Sequence, residues 1–440
     1  MKVVFVNPPN PYAIEPAMNP PLGICYIASY LQERGIEDIT LIDFNLFDYD
    51  FYKSEYLDEI PLDADVYGIY CMTPQYRWMQ GIVEYLDACC LDAKIIVGGP
   101  HATTMPLEVY NDCLVDYVIQ GDGEEAFYQL ITSKGKFNVK KRWIVDDLDS
   151  LPFPNRDLKG APINNYKRTI EGNKAIHLVT LRGCPFSCAF CDKNSVGRQV
   201  RFRSVENVMQ EIDDLMSKYS WATSYVIYDD IFTMIPDRVF QFCTEFKRRE
   251  IKWRCWSRAD LVSKVMLAKM KDAGLSSITF GIESGDDNVL RRANKRTTAE
   301  DNKNALLMTK ELGIPVRCSL MYGLPGENRQ SIDNTIEMIA KTKPDEWNLA
   351  ILAPIPGSSI WNKPRLYGIE FSKKWLKEQY YEPCNRFGGS GIGSIWAKNV
   401  EMTRQEYMDN LNYFVSELER VCPRNKIQDT IQEIDIAKAI

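Results

Sequence analysis

The chain has 440 residues, of which 45% are hydrophobic and 26% are charged, so it is long enough for two or three domains that each bury a core. Its 53 basic and 60 acidic residues give a formal net charge of −7, which does not predict the basic surface that nucleic-acid binding requires. No apolar stretch approaches membrane-spanning length, and an odd number of cysteines, thirteen, does not indicate a disulfide framework. The composition therefore predicts a cytoplasmic protein that acts on a small molecule or a peptide.

The first part of the chain alternates between predicted strands and predicted helices. The strands are "KVVFVN", "DITLIDF", "VYGIYCM", "KIIVGG" and the start of "VDYVIQGDGEEAFYQLI"; the helices between them include "PLGICYIASYLQERG" and "QYRWMQGIVEYLDACC". Continuous apolar strands separated by helices form a parallel sheet covered on both faces. Residues 1–135 are therefore predicted to form a doubly wound, Rossmann-like α/β domain.

Small and polar turns follow four of these strands, where ligands of such a sheet bind. The turns are "NPPNPY", "CMTPQY", "GGPHATTMP" and "GDGEE". They permit a close approach of the backbone to a large flat or phosphate-bearing ligand, although the same glycines can simply form tight turns. No G-x-G-x-x-G follows the first strand, which argues against a nicotinamide or flavin cofactor.

The rest of the chain contains a second alternating block. Residues 136–172 lose periodicity and gain Pro, Asn and Asp, so they are predicted to form a linker. Six strand–helix repeats, from "AIHLVTLRG" to "EWNLAILAPIPG", predict a partial (β/α)6 barrel over residues 173–370. Residues 371–440 are predicted to be mainly helical: the aromatic and glycine-rich first part is either a substrate lid or packing, and "MTRQEYMDNLNYFVSELERVC" is typical of an amphipathic helix.

Three cysteines lie within eight positions, in "LRGCPFSCAFCDKN", directly after the first strand of the predicted barrel. Cys184, Cys188 and Cys191 are one ligand short of a closed zinc site, and the nearest candidates, His177 in a strand and Cys243 on a helix, are poorly placed. Three thiolates that leave one iron of a [4Fe–4S] cluster open to a substrate atom fit the pattern better. The mouth of a barrel, where this loop begins, is also where active sites of such folds are built.

The segment "CPFSCAFC" resembles the C-x-x-x-C-x-aromatic-C signature of radical S-adenosylmethionine (SAM) enzymes. The segments "NPP", "MTPQY", "GGPHAT", "GDGEE", "DDIFT", "RAD", "FGIESG", "GLPGE" and "PIPGS" extend the resemblance over the whole chain, to the cobalamin-binding class of that family. The resemblance implies that the three cysteines hold a [4Fe–4S] cluster whose open iron chelates SAM. An electron from a donor such as flavodoxin or ferredoxin would then yield a 5′-deoxyadenosyl radical.

The resemblance also implies contacts to SAM from the ends of later barrel strands. The residues at those positions, together with the aromatic residue of the cysteine signature, are Phe190, Asp229, Asp230, Arg258, Glu283, Ser284, Gly323 and Glu327. Alternative structural roles are open for several of them: Asp229 and Asp230 as helix caps, Arg258 as a partner of Asp260, and Glu283 as a solvated loop charge.

In the first domain, the resemblance implies cobalamin contacts from the turns at the strand ends. The residues concerned are Asn7, Pro8, Pro9, Thr73, Pro74, Gln75, Tyr76, Gly98, Gly99, His101, Gly121, Gly123 and Glu124. Neither His101 nor His177 stands in the D-x-H-x-x-G motif of many cobalamin proteins. Histidine ligation of cobalt from that motif is therefore not expected, and we expect His101 to be a hydrogen-bonding loop residue.

Hydrogen-atom abstraction reaches C–H bonds that lie far outside the range of general bases. The resemblance therefore predicts a cobalamin-dependent radical SAM enzyme that methylates an unactivated carbon. One alternative is an enzyme of the same architecture that catalyses cyclisation, rearrangement or another hydrogen abstraction without methyl transfer. A second alternative is a non-catalytic, zinc-stabilised binding module.

Overall fold

The computed structural model describes residues 1–10, 16–48, 53–132, 138–371 and 397–423, which fall into two compact units. Unit 1 comprises Met1–Lys167 and Asp192–Val196. Unit 2 comprises Arg168–Cys191 and the described residues from Gly197 onward. The segment for which a substrate lid is one of two hypotheses, residues 372–396, lies outside the described residues.

Unit 1 is built on a five-stranded parallel sheet. Its strands are β1 (Val3–Asn7), β2 (Ile39–Asp43), β3 (Val66–Tyr70), β4 (Lys94–Gly98) and β5 (Tyr117–Val118), in the spatial order β2-β1-β3-β4-β5. Its helices are α1 (Leu22–Gln32), α2 (Tyr76–Cys89), α3 (Pro100–Thr104), α4 (Pro106–Asp112) and α5 (Glu124–Thr132). This order is that of a doubly wound sheet with a switch point between β1 and β3, so the predicted fold is confirmed.

The chain that follows α5 packs against the same sheet. Leu158, Ala161 and Tyr166 are buried in one hydrophobic cluster with residues of β1 and β2. The backbone N–H of Leu41 donates to the carbonyl of Lys159 at 2.9 Å. The described part of the region predicted as a linker therefore belongs to unit 1 as far as Lys167, because its scattered apolar side chains anchor short elements to the sheet.

Unit 2 is built on six parallel strands in sequential order, as in the predicted partial (β/α)6 barrel. The strands are β6 (Ile176–Leu178), β7 (Ser224–Ile227), β8 (Lys252–Ser257), β9 (Leu275–Glu283), β10 (Val316–Tyr322) and β11 (Glu346–Ile351). After the short helix α6 (Lys193–Val196) of unit 1, the helices of unit 2 are α7 (Val205–Lys218), α8 (Pro236–Arg248), α9 (Lys264–Asp272), α10 (Asp287–Arg292), α11 (Ala299–Glu311), α12 (Arg329–Thr342), α13 (Ser359–Asn362) and α14 (Arg404–Val421).

The two faces of the second sheet differ in polarity. On the helix-covered face, the Trp253 ring lies 5.3 Å from that of Phe232 and 5.1 Å from that of Phe246, which belongs to α8. Successive side chains of a strand point to opposite faces, so Arg254 belongs to the inner face. On β10 the helix-facing side chains are fully buried and the alternate ones are half-buried, which leaves the inner face accessible.

The C-terminal helix α14 confirms the predicted amphipathic helix, with Tyr407, Leu411, Phe414 and Leu418 buried along one face. Its N-terminus is closed by a capping box in which Thr403 accepts from the N–H of Glu406 at 3.2 Å. No helix in the described part of the chain is both long and apolar enough to cross a membrane.

Candidate cofactor site

The three cysteines lie in the loop of residues 183–191, hereafter the cysteine loop. A buried carboxylate holds the backbone directly before this loop. Asp229, which follows β7, accepts hydrogen bonds from the N–H of Thr180 at 2.6 Å and of Leu181 at 3.1 Å, and from the Thr180 hydroxyl. Burial raises the pKa of Asp229 to about 6, against the opposing effect of these hydrogen bonds. The Asp229 oxygens are used to hold the backbone before the cysteine loop rather than to cap a helix or face a ligand, whereas its neighbour Asp230 is exposed.

The middle of the cysteine loop is held by backbone on both sides. The N–H of Ala189 donates to the carbonyl of Ala293 at 2.8 Å, and the Ala189 carbonyl accepts from the N–H of Ile360 at 3.0 Å. Asn294 donates from Nδ2 to the carbonyl of Ser187 at 2.7 Å. Phe190 packs beside the apolar cluster that contains Ala189, Val289, Ala293, Leu324, Leu352 and Ile360. The protein itself therefore anchors the loop at Ser187 and Ala189 by hydrogen bonds and at Phe190 by packing.

Arg258, which directly follows β8, contacts the same loop. Its side chain is 5% exposed and forms two hydrogen bonds with the Asp260 carboxylate, at 2.9 and 3.0 Å. It also donates to the carbonyl of Lys295 at 2.9 Å and to the Cys188 sulfur at 3.9 Å. The alternative pairing with Asp260 is confirmed, and the guanidinium faces the cysteine loop as well.

Cys188 is buried, while Cys184 and Cys191 are half-buried. In the described part of the chain, no three His, Cys, Asp or Glu side chains converge as the ligands of a single metal ion would. The cysteines of a [4Fe–4S] cluster each bind a different iron atom, so they are not required to converge on one point.

At the end of β9, Glu283 and Ser284 are held by different partners. Glu283 has a left-handed backbone (φ 64°), and its carboxylate forms an ion pair with Lys295 at 2.9 Å, with both side chains nearly buried. Glu283 is therefore an ion-paired and nearly buried residue, and the alternative interpretation as a solvated loop charge is wrong. Ser284 is buried and accepts from the N–H of Asp286 at 3.2 Å. At the next position, a Cβ on Gly285 would lie 2.7 Å from the Thr335 Cα atom, so only glycine permits this approach to α12.

The "GLPGE" turn after β10 contains a second buried carboxylate. Glu327 is 3% exposed and accepts from the N–H of Gly323. The pKa of Glu327 is raised to about 8, chiefly by burial and also by the charge of Asp286, against the opposing effect of the backbone hydrogen bonds. Gly323 has a φ of 88°, and a Cβ atom at this position would collide with the hydroxyl of Tyr407, so the turn requires glycine. The same turn carries two of the predicted SAM contacts, Gly323 and Glu327.

The buried carboxyl of Glu327 predicts a pH-dependent stability. Between pH 4.5 and about 8 the folded chain binds this proton and the unfolded chain does not, so the free energy of unfolding falls as pH rises through that window. We expect Glu327→Gln to stabilise the cofactor-free chain by about 3 kcal/mol at pH 9 and to have little effect near pH 4.5. Thermal unfolding of both proteins across this range is the measurement, and parallel midpoint curves would contradict the prediction.

In unit 1, the polar residues at the ends of β1 and β2 bond chiefly to one another. Gln75 is fully buried, donates to the Asn7 Oδ1 atom at 3.2 Å and to the carbonyl of Pro8 at 2.6 Å, and accepts from the N–H of Met72. Asn7 donates to the Asp43 carboxylate at 2.9 Å. Both ends of the Gln75 amide are therefore used inside the fold. Asn7 and Gln75 therefore support the strand-end segments through these hydrogen bonds.

His101 forms the expected hydrogen bond, but it is the second residue of the short helix α3 and not a loop residue. It is 1% exposed, its Nδ1 atom lies 3.0 Å from the Thr73 hydroxyl, and its ring lies 4.6 Å from that of Tyr76. The helical segments that follow β3 and β4 are joined through these contacts. Two glycines at the same edge have positive φ, 106° at Gly99 and 87° at Gly121, and a Cβ on either would meet backbone atoms within 3 Å.

Two family models match the chain. The B12 binding domain matches residues 17–131, which lie within unit 1, and the Radical SAM superfamily matches residues 178–339, which lie in unit 2 except for Asp192–Val196. The chain belongs to the cobalamin-binding radical SAM enzymes.

Relatives of this radical SAM enzyme cover most of its length. It is 28% identical to the uncharacterized methyltransferase PH0819 of Pyrococcus horikoshii over 408 residues, 87% of each chain. It is 26% identical to the anaerobic magnesium-protoporphyrin IX monomethyl ester cyclase of Rubrivivax gelatinosus, over 82% of this chain and 70% of that protein. The radical SAM methyltransferase TsrM of Kitasatospora setae, solved with cobalamin and a [4Fe–4S] cluster, has the same fold: the TM-score is 0.65 at 15% identity, over 96% of this chain and 91% of TsrM.

A [4Fe–4S] cluster, SAM and cobalamin are the cofactors of this radical SAM enzyme, as the sequence predicts. The described residues fit them. Soft thiolates suit iron, the cysteine loop is fixed independently at three residues, and close-packed glycine turns follow β4 and β5 in unit 1.

Several residues that support the predicted site residues of this radical SAM enzyme could not be identified from the sequence. Asn294 and Lys295 support the cysteine loop and the Arg258 and Glu283 side chains, and they follow a short helix that no clear periodicity marks. Ser319 and Asn348, hydrogen-bonded to each other at 2.9 Å, lie half-buried on the inner face. The strict alternation in "PVRCSLMYG" is the one signal that indicates such an inner face.

Proposed function

We propose that this radical SAM enzyme is a methyltransferase that methylates an unactivated carbon of a small molecule or a peptide. The observation that carries the proposal is the match over 87% of both chains to a protein named as a methyltransferase, in a chain that also has the B12 binding domain. A B12 domain beside a radical SAM domain suits methyl transfer, since methylcobalamin is a methyl donor. Cytoplasmic location and a flavodoxin or ferredoxin as electron donor stay predictions of the sequence.

In this proposal the described residues have separate tasks. Cys184, Cys188 and Cys191 hold the cluster, and Phe190 lines the SAM site from the apolar cluster next to them. The exposed carboxylate of Asp230 is better placed to bind the ammonium or ribose of SAM than the internally bonded Asp229. Glu283 and Ser284 present the end of β9, and the Lys295 ion pair fixes the Glu283 carboxylate.

When bound, the cluster and SAM supply hydrogen-atom abstraction and cobalamin supplies the methyl group. The chain contributes binding, orientation and exclusion of water. In unit 1 the proposed cobalamin contacts are the residues of the strand-end turns other than the two internally bonded amides: Pro8, Pro9, Thr73, Pro74, Tyr76, Gly98, Gly99, His101, Gly121, Gly123 and Glu124. We propose that His101 shapes the turn through Thr73 and Tyr76 and does not ligate cobalt.

We place the substrate over the inner face of β10 and β11. The Arg317–Glu346 pair at 2.5 Å lies at the N-terminal ends of both strands, the hydrogen-bonded Ser319 and Asn348 lie in the middle of that face, and Met321 lies nearest the carboxyl ends. Half-buried charged and amide groups there suit a polar small molecule or peptide better than an apolar lipid.

The products of one incubation test the reaction. The reconstituted enzyme is incubated anaerobically with reductant, SAM and candidate substrates, and nucleoside products are quantified. Methylation is expected to give 5′-deoxyadenosine and S-adenosylhomocysteine in about equal amounts, since one SAM supplies the radical and a second restores methylcobalamin. An enzyme depleted of cobalamin is the control and is expected to lose S-adenosylhomocysteine formation. Substrate conversion with 5′-deoxyadenosine alone would overturn methyl transfer.

The second candidate is a reaction of the same architecture without methyl transfer. The similarity to the Rubrivivax cyclase, over 82% of this chain, favours it specifically. In that case the expected products are 5′-deoxyadenosine without S-adenosylhomocysteine, and a substrate product that has gained no methyl group.

A further inference from the structure

Arg258 contacts four different residues, two of which belong to the cysteine loop. Its guanidinium carbon lies 3.7 Å from the centroid of the Phe186 ring, and one of its nitrogens donates to the Cys188 sulfur at 3.9 Å. Two of its nitrogens bind the Asp260 carboxylate, and one binds the carbonyl of Lys295. The planar guanidinium of an arginine can stack on an aromatic ring and bind a carboxylate through two nitrogens at the same time. The ammonium group of a lysine cannot do both.

The partners of Arg258 are themselves fixed. Lys295 and Asn294 follow α10 in a turn with two left-handed residues, Asn294 (φ 51°) and Arg296 (φ 62°). Asn294 binds the carbonyl of Ser187, the residue directly before Cys188, and the Lys295 side chain binds Glu283. The turn therefore holds the cysteine loop directly through Asn294 and indirectly through Arg258.

We propose that Arg258 is a positioning residue for the cluster: it orients Cys188 and donates a hydrogen bond to its sulfur when the iron is bound. This assignment differs from the SAM contact that the family resemblance implies, and it rests on Cys184, Cys188 and Cys191 being the cluster ligands. Hydrogen bonds to ligand sulfurs are one of the factors that set the reduction potential of an iron–sulfur cluster. A cationic donor at Cys188 stabilises the reduced cluster, which carries one more negative charge, and so raises its potential.

The test is a redox titration of the reconstituted holoenzyme, in which dithionite supplies one electron per cluster and EPR reports the reduced fraction. For Arg258→Gln we expect the ratio of reduced to oxidised cluster at a fixed potential to fall about threefold or more, with a changed EPR line shape. Arg258→Lys keeps the positive charge and is expected to recover part of this loss. The matched control is Arg249→Gln, because Arg249 makes a similar bidentate pair with Asp213, at 2.6 and 2.7 Å, on the outside of unit 2.

The outcomes separate this proposal from the cluster assignment itself. An Arg258→Gln enzyme with wild-type iron content, EPR spectrum and titration curve overturns the positioning role. If that variant does not fold, Asp260→Asn decides, because it keeps the arginine and removes the carboxylate that orients it; an unchanged titration there overturns the proposal equally. Retention of iron by Cys188→Ser would instead show that the ligand assignment is wrong, whatever Arg258 does.

Discussion

Replacement of Cys188 by serine is expected to reduce the iron content of the reconstituted chain from about four atoms to fewer than about one, and to abolish 5′-deoxyadenosine formation. A serine hydroxyl has nearly the size of the thiol but is not a soft anionic ligand at neutral pH, so the buried site loses one of three iron contacts. The same result is expected at Cys184 and Cys191. Iron analysis and the visible absorption of the cluster after anaerobic reconstitution are the measurements.

The control for this experiment is Cys89→Ser, since Cys89 is an exposed cysteine at the end of α2 and outside the cysteine loop. It is expected to bind as much iron as the unmodified chain. If the purified protein instead contains one zinc atom, is fully stable and binds no iron after reconstitution, the prediction of a [4Fe–4S] cluster is contradicted. That result would favour the alternative of a zinc-stabilised binding module. Loss of iron in all three loop variants and in none of the others would locate the cluster.

The cysteine signature could be found in the sequence because cluster ligands come from one short loop with fixed spacing. The sheets were predictable for a similar reason: continuous runs such as "KVVFVN" and "SITFGIES" are buried on both faces, and they became β1 and β9. The helices α3, α4 and α10 were missed because they have seven residues or fewer, which is too short for a helical period to be visible.

The directions of the side chains at the strand ends could not be predicted. The residue types at Asp229 and Arg258 suit SAM, and the barrel topology places both at the carboxyl end of a strand. Their partners are set by the tertiary fold: Asp229 binds Thr180, 49 positions earlier, and Arg258 approaches Cys188, 70 positions earlier. A sequence pattern identifies the edge of the sheet at which a charged group lies, but not whether the group faces a ligand or the backbone of a neighbouring loop.

The described part of the segment predicted as a linker packs against unit 1 as far as Lys167, although its sequence has no clear periodicity. Residues 138–167 contain only short elements, such as the strand pair of Asp157–Leu158 with Ala161–Pro162 and the 3-10 helices Leu148–Ser150 and Ile163–Asn165, and local periodicity is therefore weak. They are nevertheless fixed to unit 1, where Tyr166 donates from its hydroxyl to the Asp43 carboxylate at 2.7 Å. Burial raises the pKa of that carboxyl, and the hydrogen bonds from Tyr166, Asn45 and Asn7 oppose the shift. Segments that are held by single anchors rather than by repeated contacts do not show in hydrophobic patterns.

Substitutions of the adjacent residues Asp229 and Asp230 distinguish a structural role from a role in SAM binding. Asp229→Ala is expected to destabilise the cofactor-free chain by about 3 kcal/mol, because it leaves the buried N–H groups of Thr180 and Leu181 without their acceptor. Asp230→Ala removes an exposed carboxylate and is expected to change stability by less than about 0.5 kcal/mol. Thermal unfolding without cofactors measures this difference, which corresponds to a midpoint lower by about 5 °C or more for Asp229→Ala.

The same pair distinguishes the roles in the loaded enzyme. If Asp230 binds SAM, Asp230→Ala retains its iron but requires more SAM for half-maximal product formation, whereas Asp229→Ala loses iron because the start of the cysteine loop is released. Equal unfolding midpoints for the two variants would show that the hydrogen bonds of Asp229 do not stabilise the fold. Unchanged SAM dependence in Asp230→Ala would leave Glu283 and Ser284 as the strand-end residues that contact SAM. Asp229 would then support the cysteine loop and Asp230 would not take part in SAM binding.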